Sequence, residues 1–202
     1  GFHQEFGSDD HAFVIYKPKD GNVFSTQSLK IVQQIRYDLL ALKNASVEGD
    51  PLDRIVRITT LDNAPILRTE QDTLITKHLV GPDIPTDQAA LDQIRAMAET
   101  QATFPLLYFS KDYTYGGIFI ETNFGAIPVD SDDDEQNLVL EEDLTMDDMS
   151  MEEGDYEQER MRFKPTDLSE YLSFMNAIKE VLNKPEYSAH FEYHPVGNPA
   201  AT

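Results

Sequence analysis

Two segments of this chain are apolar along one stripe only, and a helix of that kind must cover something. In "FSTQSLKIVQQIRYDLLALKN", residues 24 to 44, Leu29, Val32, Ile35, Leu39 and Leu42 recur at spacings of three and four behind Ser25, a good N-cap. In "FKPTDLSEYLSFMNAIKEVLNKPEY", residues 163 to 187, the stripe is Leu168, Tyr171, Leu172, Met175, Ile178 and Leu182. Pro165 precedes this second helix, Asp167 and Glu170 make a capping-box-like start with Thr166 as a rival cap, and Pro185 ends it. Two one-sided helices call for one shared apolar surface, and the segments between them supply strands.

"HAFVIYKPKDG" alternates, with His11, Phe13 and Ile15 on one face and Ala12, Val14 and Tyr16 on the other. After the first helix "GDP" breaks the chain, and "DRIVRITTLD" forms a second strand with Val56 and Ile58 near its middle. "TYGGIFIETNFGAIPV" is a third strand, opened by Gly116 and Gly117, closed by Pro128, with room for a bend at Asn123 to Gly125. "AHFEYHPVGNP" gives the last strand. Between the second and third strands, "NAPILRTEQDTLITKHLVGPDIP" holds several breakers around one short helix, and "TDQAALDQIRAMAET" is a helix from Thr86 with Leu91, Ile94 and Met97 or Ala98 inward. The expectation is an α+β, ferredoxin-like βαββαβ split sheet with both long helices on one face. Residues 1–202 form one domain, with a helical insertion at about 64–103 and an acidic insertion at about 129–162.

The acidic insertion carries most of the charge. Of the 37 Asp and Glu residues, fifteen lie between Val129 and Arg160, against a formal net charge of −21. Without them the balance is 16 positive against 22 negative, or −6, which is ordinary for a soluble domain. Nucleic acid is an unsuitable partner, because phosphate backbones need Lys and Arg clusters and "KPK" at 17 to 19 is the nearest approach. Anionic lipid headgroups are unsuitable for the same reason. The chain has no Cys, hence no disulfide, thiol nucleophile or Cys-ligated zinc. No apolar run reaches the roughly 20 residues of a spanning helix.

Three stretches together resemble a known family: "FGSDDHAFVIYKPKDGNVFS", "LDRIVRITTLDNAPILR" and "NKPEYSAHFEYHPVGNPA". In order and spacing they are similar to the extracytoplasmic loop domains of resistance-nodulation-division exporters, in the mycobacterial-membrane-protein-large (MMPL) or Patched-like branch. The run from Ile55 to Asn63, followed by Ala64-Pro65-Ile66-Leu67-Arg68, stands at the family's strand and turn. The likeness covers most of residues 6 to 128 and 163 to 199, and the acidic stretch departs from it. It implies a porter-type domain of the kind that stands between the first and second membrane helices, or of the similar kind that follows the seventh, with its two ends close together. It also implies a place on the periplasmic face of a bacterial inner membrane. The implied partners are the rest of the transporter, its other extracytoplasmic domain, and a hydrophobic small molecule or lipid. The proton relay would lie in membrane helices outside this chain. The rival reading is a free-standing extracytoplasmic binding or scaffolding module that docks through its acidic insertion.

Individual motifs give no reaction centre. Asp130, Asp132, Asp134 and Glu141 have the spacing of positions 1, 3, 5 and 12 of a calcium loop, but Glu135 stands where Gly is required and no helix pattern leads in. A solvated insertion, or one whose Leu138, Val139, Leu140, Leu144, Met146, Met149 and Met151 dock on the sheet or a partner, accounts for the same residues. No metal or other cofactor is expected. Of His3, His11, His78, His190 and His194, the pair His190 and His194 could share a strand face with Glu192 as zinc ligands, or simply form a polar outer face. No G-x-S-x-G, Walker loop or H-E-x-x-H occurs, so no catalytic residue and no enzyme is expected. "YGG" at 115–117 is too small to cradle phosphate. The aromatic residues Tyr108, Phe109, Tyr113, Tyr115, Phe119 and Phe124 point either to core packing or to an apolar cleft for a lipid-like ligand.

Overall fold

The computed structural model describes residues 11–101, 104, 107–124 and 165–195. Along the chain it runs β1 (His11–Pro18), α1 (Thr26–Ala45), a 3-10 turn (Pro51–Arg54), β2 (Ile55–Thr59), β3 (Pro65–Glu70), β4 (Thr73–His78) and α2 (Gln88–Glu99). It continues with β5 (Gly116–Thr122), α3 (Pro165–Leu182), α4 (Pro185–Ser188) and β6 (Phe191–Pro195). The architecture is mixed α+β, with a four-stranded sheet in the order β2-β5-β1-β6 and a separate two-stranded ribbon of β3 and β4. Among the described residues all strand pairings are antiparallel.

The register separates the two faces of the main sheet. Val14 lies opposite Ile118, Ala12 opposite Ile120, Ile120 opposite Ile58, and Tyr16 opposite both Gly116 and Tyr193. Paired residues point the same way, so these form one face. Val14, Tyr16, Ile118 and Ile120 on it are wholly inaccessible. The buried stripes of α1 (Leu29, Val32, Ile35, Leu39) and α3 (Phe174, Ile178, Val181, Leu182) join the same core, and the two helices touch. Tyr16 stacks on Phe191 at 4.5 Å between centroids. Its ring lies over Gly116, where an added Cβ would meet it at 2.3 Å; only glycine admits that approach.

Local chemistry sets the ends of the elements. Ser25 caps α1, its hydroxyl accepting the Ser28 N–H at 3.0 Å. The helix expected from Thr86 starts at Gln88, and Asp87 caps it by accepting the Ala90 N–H at 3.1 Å. The expected start of the second long helix moves: α3 begins at Pro165, so Thr166 and Asp167 lie inside its first turn. Its stripe also turns by one position. Phe174 and Val181 are buried, and Leu172, 100° round the helix from Tyr171, is exposed. On β2 the ladder shifts between Ile55 and Arg57, so Val56 is the extra residue of a bulge and faces solvent.

The insertion at 64–103 is not helical throughout. Its first half is the β3–β4 hairpin, turned through Gln71 and Asp72, both left-handed with φ of 49° and 64°. Its second half is α2. Two left-handed residues give the twist that a two-residue hairpin needs. The acidic insertion, with Asp130, Asp132, Asp134 and Glu141, lies outside the described residues, as do His3 and Pro128.

Candidate functional site

Polar groups, some of them buried, bind elements to one another. Arg36, on α1, donates to Asp62 just past β2 at 2.5 and 3.2 Å, and Asp62 is 1% exposed. Thr60 gives its hydroxyl to the same carboxylate. The Asp62 carbonyl accepts from the N–H groups of Val80 and Gly81, and Gln33 donates to the Pro82 carbonyl at 3.1 Å. This node fastens α1 to both ends of the hairpin excursion. On the far side of α1, Asp38 accepts from Lys184 at 2.8 Å and from the Tyr187 hydroxyl at 3.1 Å. The hydrogen bond to Asp38 raises the Lys184 ammonium above its ordinary range, and burial, with Asp38 nearby, raises the Tyr187 phenol. Burial likewise raises the phenols of Tyr16 and Tyr193, whose hydroxyls have no partner among the described residues.

The six aromatic residues marked in the sequence mostly serve the core. Tyr108, Phe109, Phe119 and Phe124 are buried. Phe24, Phe109 and Tyr113 meet at centroid distances of 5.1, 5.7 and 6.2 Å, and Arg95 lies over the Tyr113 ring at 5.3 Å. Tyr113 is held at a φ of 67° while its hydroxyl donates to Glu99 at 2.6 Å, which clamps the loop before β5 to α2. Phe124 packs on Phe174 at 5.5 Å and under the Arg54 guanidinium at 4.8 Å; Arg54 also pairs with Glu170. Tyr115 alone of the six is exposed.

Tyr115 belongs to the outer face of the sheet, the one turned away from the long helices. The register puts His11, Phe13, Ile15, Lys17, Arg57, Glu121, Glu192 and His194 there. The loop before β5 covers the middle: the Leu107 carbonyl and the Phe13 ring stand 1.9 and 2.8 Å from where a Gly117 Cβ would be. At one end Lys17 lies over the Tyr115 ring at 5.6 Å and His194 meets it at 6.1 Å. At the other, Arg57 donates to both oxygens of Glu121 at 2.7 and 3.1 Å, a fork that raises the guanidinium further.

The zinc alternative is not assembled. His190 precedes β6 and is tied through its backbone to Tyr187 and Lys19, while Glu192 and His194 are exposed. No group of three or more potential ligands stands together among the described residues. Hydroxyls go to turn and cap carboxylates: Ser25 and Ser28 to Asp20, Ser110 and Thr114 to Asp112. The bonds from Thr114 and Ser110 lower the Asp112 carboxyl below its usual range. No described helix is long and apolar enough to cross a membrane. In comparisons with known proteins, no family, no curated sequence and no solved structure matches the chain.

Proposed function

We propose that this chain is a porter-type domain of a proton-driven exporter of the resistance-nodulation-division kind, on the extracytoplasmic side of a bacterial inner membrane. In this reading it helps a hydrophobic or lipid-like substrate to pass by moving as a rigid body against a companion domain. The finer fold belongs to the same proposal: a ferredoxin-like split βαββαβ sheet into which the β3–β4 ribbon with α2, and residues 129–162, are inserted. The strand order β2-β5-β1-β6, antiparallel throughout, supports it, since α1 and α3 then make the two crossovers of such a unit. The outer face would meet the companion domain through Tyr115, Lys17 and His194.

The observation that carries the reading is the pairing of β1 with β6. Val14 lies opposite Pro195, so the chain running into His11 and the chain leaving Pro195 depart from one end of the sheet. A loop domain suspended from a membrane needs that arrangement. The test is the reading frame on each side of this chain in its parent gene. Apolar segments of about 20 residues are expected within a short distance of both ends. A parent protein with no such segment on either side overturns the reading.

A further inference from the structure

The β3–β4 ribbon stands apart from the core that roots it. At its base Ile66 and Leu79 are buried, and the Leu79 N–H bonds the Ala64 carbonyl at 2.8 Å. Beyond that base nearly every residue is exposed, Leu67 at 58% and Leu74 at 65% among them. Those two leucines share a ribbon face with Thr69 and Thr76, since Leu67 pairs with Thr76 and Thr69 with Leu74. Each strand pairs only with the other among the described residues, so both outer edges are open. A lone two-stranded ribbon is marginal in water, and a third and fourth strand make it stable.

The charge pattern says what those strands are. Between Pro65 and His78 the ribbon holds Arg68 and Lys77 against Glu70 and Asp72. It is formally neutral on a chain of −21, so two such chains can approach there with least repulsion. Along β3, Arg68 and Glu70 stand symmetrically about Thr69 on one ribbon face. We propose that a second copy of this chain pairs antiparallel along β3, with the two-fold axis at Thr69, giving a four-stranded sheet β4-β3-β3-β4. Within one copy Glu70 lies 3.7 Å from both Arg68 and Lys77; across the two-fold each Arg68 also faces Glu70 of the other copy, twice over, and Leu74 and Thr69 of both copies line up in one row across the sheet. This is an isologous interface, self-complementary in charge. Pro65, which cannot donate to a ladder, falls outside the paired stretch. The inference holds whether or not the chain belongs to an exporter.

Sedimentation of the 202-residue chain across about 1 to 100 µM, a range that brackets modest self-association, should show a monomer–dimer equilibrium. Arg68→Glu and Glu70→Arg alone should each weaken it about tenfold, because two like-charge pairs replace two attractive ones. The double variant R68E/E70R, which exchanges the same charges, should restore it. These side chains are solvent-exposed, and an unchanged melting temperature checks that each variant folds. Because the chain has no cysteine, Thr69→Cys gives a second readout. Residues opposite each other across a two-fold lie within disulfide reach, so this variant should cross-link to a dimer on oxidation, while Glu48→Cys in a distant exposed turn should not. A chain that stays monomeric throughout, single reversals without effect, or a double variant that fails to recover would each overturn the proposal.

Discussion

Single atoms decide several positions in this fold. A Cβ on Gly117 would stand 1.9 Å from the Leu107 carbonyl oxygen, a backbone atom that cannot swing aside. Gly117→Ala should therefore cost about 3 kcal/mol, read as a lowered urea midpoint. Two tyrosines should respond oppositely to loss of their hydroxyl. The Tyr187 hydroxyl bonds the Gln34 carbonyl at 3.2 Å and Asp38 at 3.1 Å, so Tyr187→Phe should destabilise by about 1 kcal/mol. The Tyr16 hydroxyl is buried with no partner among the described residues, so Tyr16→Phe should stabilise by about 1 kcal/mol. Burial raises the phenols of Tyr16, Tyr187 and Tyr193 above the ordinary 10.0. The folded chain keeps those protons where the unfolded chain releases them, so their contribution is whole below pH 10 and fades as pH rises beyond it. The melting temperature should fall above about pH 10. In an absorbance titration of the nine tyrosines, these three should ionise above pH 10.

At the scale of elements, the Arg36–Asp62 node should be the most sensitive polar contact. Asp62→Ala would strand a guanidinium that is 12% exposed, at a cost of about 3–5 kcal/mol by denaturant unfolding. The two long helices and four of the strands were legible because their signals are periodic and each buries one face. What the sequence hid was aperiodic. The β3–β4 hairpin escaped because its turn is Gln71-Asp72, lacking the Asn-Gly pair that usually marks left-handed turn residues. The bulge at Val56 breaks the alternation of β2, so Ile55 and Ile58 are both buried three residues apart. On α3 the buried position went to Phe174, which packs on Phe124, and not to Leu172. The outer face was half legible: the aromatic residues around β5 stood out, but which of them the loop before β5 would bury depends on the Leu107 approach to Gly117, which no local pattern encodes.

At the scale of the whole molecule, charge works against compactness. A chain of −21 repels itself, and salt screens exposed charges over about 10 Å at 0.1 M. Its melting temperature should rise from low salt to physiological salt in calorimetry, with the buried Arg36–Asp62 pair little affected. The pairing of β1 with β6 has a mechanical consequence as well. A load applied through both continuations of the chain would pull at right angles to these strands, at the end where Val14 faces Pro195. The backbone bonds between them would then break in succession, like a zip, and never all together in shear. Modest tension would peel β6 away and uncover Tyr16 and Phe191 while β1, β5 and β2 stayed joined.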